Sequence, residues 1–312
     1  MSPRTVRFPA SVADGVRCLL FVCLAGLIGY AYGVQHVEDV MSCYGWLTGH
    51  WRNVSNYTHG PLIPLIAVGL VAMKWSDLKR VTPQPVDHGA WIVAAAMVIF
   101  YFGVKAVQPR LVVFSFVILL YGLVLALSGR PLMRVVFFPI TFLLLMIPLN
   151  FLDGVIGFPL QILMAKIAAF VLNATGIEAT RIGTGIRSAV YSFDVANPCS
   201  GIRSLMALTT VTAAFAYVTQ RSQWKRWALF LSAIPLAVLG NVCRVVGVAL
   251  VGQVYGPEVA TKLHDTAAGF IVYGVALVAM VAFGFLLNAP VRRVLDQWLQ
   301  PVAPATVTGG NS

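Results

Sequence analysis

Four short stretches bring reactive or charged side chains into a chain that is otherwise apolar. ANPCSGIRS, residues 196–204, carries a thiol at Cys199 and a guanidinium at Arg203. GNVCRVVG, residues 240–247, carries Arg244, with Asn241 three residues before it. LHDTAAG, residues 263–269, opens the last apolar run with His264 and Asp265, and NYTHGPLIP, residues 56–64, adds a second imidazole at His59.

The setting of the thiol speaks most directly to reactivity. Asn197 is a good helix cap and Pro198 suits the first helical position. Cys199 then falls in the first turn, where the positive end of the helix dipole favours a thiolate. Arg203, four residues on, shares that face one turn deeper. A thiolate placed this way is a nucleophile; the same cysteine also reads as a small apolar filler, as most membrane cysteines do.

Arg244 lies roughly 7 residues, or about 10 Å, inside the end of an apolar run. A charge at such depth is costly and marks a functional site by default. Gly240 and Gly247 flank it and leave room for close packing or for a substrate backbone, and Asn241 lies on nearly the same face. The competing reading is an arginine that snorkels to phosphates at the surface. His264 precedes an expected helix start with Asp265 as its cap, and on its own it also reads as an ordinary interfacial histidine.

These residues depend on the elements that hold them. The chain has 312 residues, 59% hydrophobic and only 11% charged, about half the charged fraction of a soluble protein. Apolar runs recur from near residue 17 to residue 287 and predict one all-α, polytopic membrane domain over 1–290, with a short cytoplasmic tail at 291–312. Eight spans of roughly 20 residues are expected at 17–35, 60–75, 89–106, 111–128, 133–151, 200–219, 227–251 and 266–287. The first lacks a small-residue cleavage site and is expected to be retained. The stretch 154–174 is broken by Pro159, Gln161 and Lys166 and is expected to form an amphipathic or re-entrant outer helix.

With both termini inside, 13 of the 22 basic residues fall in inner segments: Arg4, Arg7, Arg17, Lys74, Lys79, Arg80, Arg130, Arg134, Arg221, Lys225, Arg226, Arg292 and Arg293. That distribution follows the positive-inside rule, which long segments such as the outer stretch 152–199 obey weakly. The same topology gathers His59, Cys199, Arg203, Asn241, Arg244 and His264 toward the outer face. Convergence of distant segments is what an active site requires.

The net charge of +11 is accounted for by orientation. No basic run is long enough for a nucleic-acid arm, so no nucleic-acid partner is expected. HExxH and CxxC spacings are absent and the outer carboxylates are scattered, so no metal and no cofactor is expected. There is no GxSxG elbow, GxxxxGK[ST] loop or internal repeat. Five cysteines, Cys18, Cys23, Cys43, Cys199 and Cys243, do not form a disulfide framework.

NPCSGIRSL, GNVCRVVGVAL and LHDTAAGFIVYG, in that order on successive helices, resemble the exosortase/archaeosortase family, and YTHGPLIPLI resembles its first recognisable block. The resemblance covers about residues 50–287. It implies a multi-pass cysteine protease or transpeptidase at the outer face of the bacterial inner membrane. Its partners, besides the lipid bilayer, would be exported proteins with hydrophobic C-terminal sorting tails. In bacterial members the tail is of the PEP-CTERM type: a Pro-Glu-Pro-like motif, a hydrophobic helix, then basic residues. Some archaeal relatives have arginine in place of the histidine, so LHD favours the bacterial branch.

By motif position the resemblance makes Cys199, Arg244 and His264 the catalytic residues: Cys199 would be the nucleophile and His264 the proton carrier, while Arg244, Arg203 or both would stabilise the oxyanion. Arg203, Asn241 and His59 stand as supporting residues. A transporter would also place Gly, Arg and His within spans, but nearer the midplane and often in repeated halves. A membrane acyltransferase is the other class that puts Cys or His at an interface.

Overall fold

A computed structural model describes residues 23–34, 36–37, 40–52, 57–149, 153–188, 192–194, 202–266 and 268–289. Cys18 and the segment 195–201, which holds Asn197, Pro198 and Cys199, lie outside the described residues.

The apolar runs are helices. Five are long and apolar enough to cross a membrane: α5 (His88–Lys105), α6 (Pro109–Leu127), α7 with its 3-10 extension (Gly129–Met146), the stretch Val155–Ala174, and the run Gln223–Tyr255. Four shorter apolar helices complete the set: Cys23–Val34 (α1), Leu62–Met73 (α3), Ser204–Thr219 and Tyr273–Asn288. Two helices in the first half are not spans. Cys43–Trp51 (α2) is capped by Ser42, whose side chain accepts from the Gly45 N–H at 3.1 Å, and Trp75–Lys79 (α4) continues α3 past Lys74. The expected span 60–75 is therefore a helix of 12 residues, ended by the first strong charge after its apolar run.

Several boundaries differ from the sequence reading, each for a local reason. Pro159 does not interrupt the stretch 154–174. It sits in the first turn of α8 (Phe158–Ala174), where a missing N–H costs nothing. With the π-turn Asp153–Gly157 before it, that stretch has the length and apolarity of a span. Its far end stays close to the second half of the molecule: Leu172 packs with Ala179, Ile186, Val245 and Ala249.

The stretches between helices also contain strands that hydropathy does not reveal. His36–Val37 (β1) pairs antiparallel with Val40–Ser42 (β2). Ala179–Ile182 (β3), Gly185–Ser188 (β4) and Ser192–Asp194 (β5) form an antiparallel sheet in that order. Gly183, at φ +62°, turns β3 into β4. Asn173 ties the sheet to α8, its amide oxygen accepting from the Ala179 N–H at 3.2 Å and its Nδ2 donating to the Ala179 carbonyl at 2.7 Å.

The second half is built from α9 (Ile202–Thr219), α10 (Gln223–Leu231), α11 (Ala233–Tyr255), α12 (Pro257–Thr266) and α13 (Ala268–Asn288). The expected span 227–251 is longer and is divided at Ser232, whose hydroxyl donates to the Leu229 carbonyl at 2.6 Å. Gly256, at φ +89°, ends α11, and Pro257 with Glu258 in the first turn starts α12. Asp265 is thus inside the last turn of α12, not the cap of the final helix.

Helix ends that the charge distribution assigns to one side meet each other. On the basic side, Gln84 donates its N–H to the Ser128 carbonyl at 3.0 Å, and Lys225 Nζ donates to Asn288 Oδ1 at 3.0 Å. At the opposite ends, Arg110 Nε donates to the Pro148 carbonyl at 3.0 Å, and the Leu149 N–H donates to the Tyr57 hydroxyl at 2.6 Å.

Candidate active site

α11 is the axis of the candidate site. It packs against α8, α9, α12 and α13, and its buried face includes Leu236, Ala237, Gly240, Asn241, Arg244, Val245, Val248 and Ala249. Ala237, Gly240 and Ala249 on this face let neighbouring elements approach it closely, as small residues do where lipid supplies no hydrophobic drive.

Within this contact, Asn241 Nδ2 donates to Ser204 Oγ at 3.0 Å. Both side chains are buried, at 3% and 8% exposure. The bond joins the GNVCRVVG helix to the end of the NPCSGIRS segment, so two of the sequence-identified stretches meet. Arg244 lies one turn beyond Asn241 on the same face and is itself only 9% exposed. In a medium of low dielectric its field on a nearby developing negative charge is strong. At Gly247, three residues on, an added Cβ would meet nothing within 4 Å.

The LHDTAAG stretch reaches the same helix by its backbone. Ala260 and Leu263 of α12 pack on Val248, one turn past Arg244, and His264 follows Leu263 directly in α12. Arg203 is in the first described turn of α9. Cys199, which precedes that turn, lies outside the described residues. The structure therefore brings together the helices that carry Asn241, Arg244, His264 and Arg203.

His59 is held by residues of the first half of the chain. Its described neighbours are in the turn before α3: its ring stacks on Tyr57 with centroids 5.8 Å apart, and Tyr57 is bonded to Leu149. Gly60 is required there because a Cβ would land on the Trp51 indole. Both ring nitrogens of His59 are buried and make no hydrogen bond. Burial pushes its pKa down to about 4, since desolvation penalises the imidazolium. A base of that strength is poorly matched to work near neutrality. Cys43, at the start of α2, is equally unsuited to ionise, burial pushing its thiol up to about 12.

Among the described residues no three His, Cys, Asp or Glu side chains cluster as a metal site. Two features escaped the sequence reading. Ser204 stood within a quoted motif, and its signal was a hydroxyl one turn into an apolar helix. α12 was announced by the Gly256–Pro257 pair, the usual sign of one helix ending and another starting.

A family model described as transmembrane exosortase (Exosortase_EpsH) matches residues 51–282, well over half of the chain. The matched stretch contains all four motifs. No curated protein matches, and no solved structure matches.

Proposed function

The chain belongs to the transmembrane exosortase family, and from that premise we propose a membrane-embedded cysteine protease or transpeptidase. It cleaves PEP-CTERM-like sorting tails from exported proteins at the outer face of the bacterial inner membrane. Cys199 attacks the scissile carbonyl as a thiolate, and Arg244 stabilises the oxyanion that forms. Collapse of that intermediate breaks the C–N bond and leaves a thioester on Cys199. His264 takes the thiol proton and returns it to the departing amine. Water then releases a new carboxylate, or an amine on a lipid or glycan forms a new amide; in either case the Cys199 thiol is regenerated.

The observation that supports this reading best is the Asn241–Ser204 bond. It fixes the helix of buried Arg244 against the helix that follows Cys199, with the Leu263–His264 turn packed one turn further along. A hydrophobic substrate tail lying in the bilayer would present its cleavage site at this level.

The test is co-expression with a tagged exported protein bearing such a tail, followed by mass spectrometry of its C-terminus. The wild-type chain is expected to yield a shortened or amide-linked terminus. Cys199→Ala is expected to yield neither at unchanged membrane abundance, and Cys199→Ser to be nearly as inactive, because a hydroxyl is far less acidic than a thiol. Near-normal processing by Cys199→Ala would overturn the assignment and put the transporter reading ahead.

A further inference from the structure

The most extensive interhelical polar network among the described residues sits at the end of the helices remote from Arg244. Gln220, just past α9 and 2% exposed, accepts at Oε1 from Asn288 Nδ2 at 3.0 Å. The same Asn288 amide donates to the Gly284 carbonyl at 3.1 Å, and its oxygen accepts from Lys225 Nζ at 3.0 Å. Arg226 Nε donates to the Gln220 carbonyl at 2.8 Å, and its guanidinium lies 5.1 Å over the Tyr217 ring. Gly284 admits the approach: a Cβ there would sit 3.0 Å from Phe215 and 3.8 Å from Gln220 Nε2. One cluster thus ties the far ends of α9, α10 and α13.

Those are the helices, or direct continuations of the helices, that carry the candidate site. Gln220 is 16 residues from Ser204, Lys225 is 19 from Arg244, and Asn288 is 20 from Ala268, the first residue of the helix that follows the one carrying His264. Each separation is roughly 25–35 Å of helix, the thickness of a bilayer's hydrocarbon core. Helices in lipid lack a hydrophobic force that fixes their axial register, so a few polar bonds and small-residue contacts must do so. Here the polar bonds stand at two levels: Asn241–Ser204 beside Arg244, and the Gln220–Asn288–Lys225 cluster at the opposite end.

We propose that Gln220 and Asn288 are positioning residues: their bond sets the axial register of α9, α11 and α13 and thereby the alignment of the candidate catalytic groups a membrane thickness away. A slip of one residue moves a helix by about 1.5 Å, enough to misplace a reacting group severely. Asn288 lies beyond the stretch matched by the family. The catalytic half of the proposal rests on the cysteine-peptidase reading; the register half does not.

The experiment separates the two. In the full chain with Cys18, Cys23, Cys43 and Cys199 changed to Ser, the half-buried Cys243 beside Arg244 is the sole thiol, and its alkylation by N-ethylmaleimide is timed in proteoliposomes. Gln220→Ala and Asn288→Ala are each expected to change that rate about tenfold. The reciprocal exchange, Gln220→Asn with Asn288→Gln, is expected to return it to within about twofold, because it keeps both amides and their combined reach. An unchanged Cys243 rate in both alanine variants would overturn the proposal, even if their melting temperatures fell. So would an exchange variant that behaves like the single ones.

With Cys199 restored, the alanine variants are expected to lose about tenfold in kcat on a tail peptide while KM stays within twofold. A changed Cys243 rate in the alanine variants, together with a wild-type chain that never cleaves a tail, would sustain the register claim and sink the peptidase reading. A loss confined to KM would overturn the positioning role.

Discussion

The α5–α6 hairpin and the α9–α11–α13 group are both built from apolar helices, yet they hold together by different means. α5 and α6 meet through glycines. A Cβ at Gly89 would land on the Ala126 backbone, one at Gly122 on Val93, and one at Gly103 within 2.9 Å of Val112. Their outer faces present Trp91, Tyr101 and Phe102. In the second group, side-chain amides and a hydroxyl make the ties, through Asn241, Ser204, Gln220 and Asn288. Of the α5 span 17% is buried, against 44% of the most apolar 18 residues in the run Gln223–Tyr255.

On the proposed function, the difference would separate scaffold from chemistry. Close fit between backbones fixes two helices without bringing any polar group into lipid. Polar ties are justified where a charge such as Arg244 must be held inside, since an unaccommodated charge there is expensive. Arg110, at the Pro148 carbonyl, is by contrast a cation held at a helix end.

The largest effect should come from exchanging the two kinds of arginine for lysine. Arg244→Lys keeps the charge and loses the planar fork that can hold an oxyanion. It is expected to lower kcat/KM on a tail peptide by about 10²–10³-fold. Arg110→Lys, which forgoes one bond to a carbonyl, should stay within about threefold. Comparable losses at the two positions would erase the division between the halves.

Glycine substitutions sharpen the same contrast through stability. Gly129 has φ +76°, and a Cβ there would land on the Gln84 carbonyl oxygen, at the point where 84 and 86 bond back to Ser128 and Leu125. Gly129→Ala is expected to cost about 2–4 kcal/mol, from backbone strain and overpacking together. Gly247→Ala, where a Cβ would meet nothing within 4 Å, should cost nothing and could gain about 0.5–1 kcal/mol of helix propensity. Melting temperatures of the detergent-solubilised variants decide this; equal destabilisation would show α11 to be as tightly fitted as the first half.

What the sequence disclosed follows from which forces leave a local trace. Long apolar runs announce helices because lipid admits little else, and the basic residues marked the helix ends that later proved to meet. The buried Arg244 and its neighbour Asn241 were legible as polar residues deep in a run. The strands β3–β5 were not, since ATRI, GIRS and SFD are short and mixed in polarity, and their pairing is set by Gly183 and by Asn173 across a turn. The status of 154–174 turned on Pro159, whose effect depends on whether it falls in a helix's first turn or its middle. His59 was grouped with the other outer polar residues because sequence gives a side but not a distance. Its stack on Tyr57 and its burial are tertiary facts.

The smallest effect concerns that histidine, and it tests whether the first half carries any proton chemistry. Its pKa in the folded chain is about 4, against roughly 6.5 when unfolded. Between those values the unfolded state binds more protons, so stability rises with pH there. The stabilising contribution of neutral His59 is therefore complete above about pH 6.5 and is lost as pH falls toward 4. His59→Phe keeps the aromatic stack and cannot ionise. Its melting temperature should decline less steeply than wild type between pH 6.5 and 4 and run parallel to it above pH 7. The pH profile of kcat/KM between 5 and 8 should keep its shape in this variant, because an imidazole already neutral over most of that range has little left to titrate. A profile flattened by His59→Phe would instead place the working base beside Tyr57, and the division between a scaffold half and a chemical half would fail at that residue.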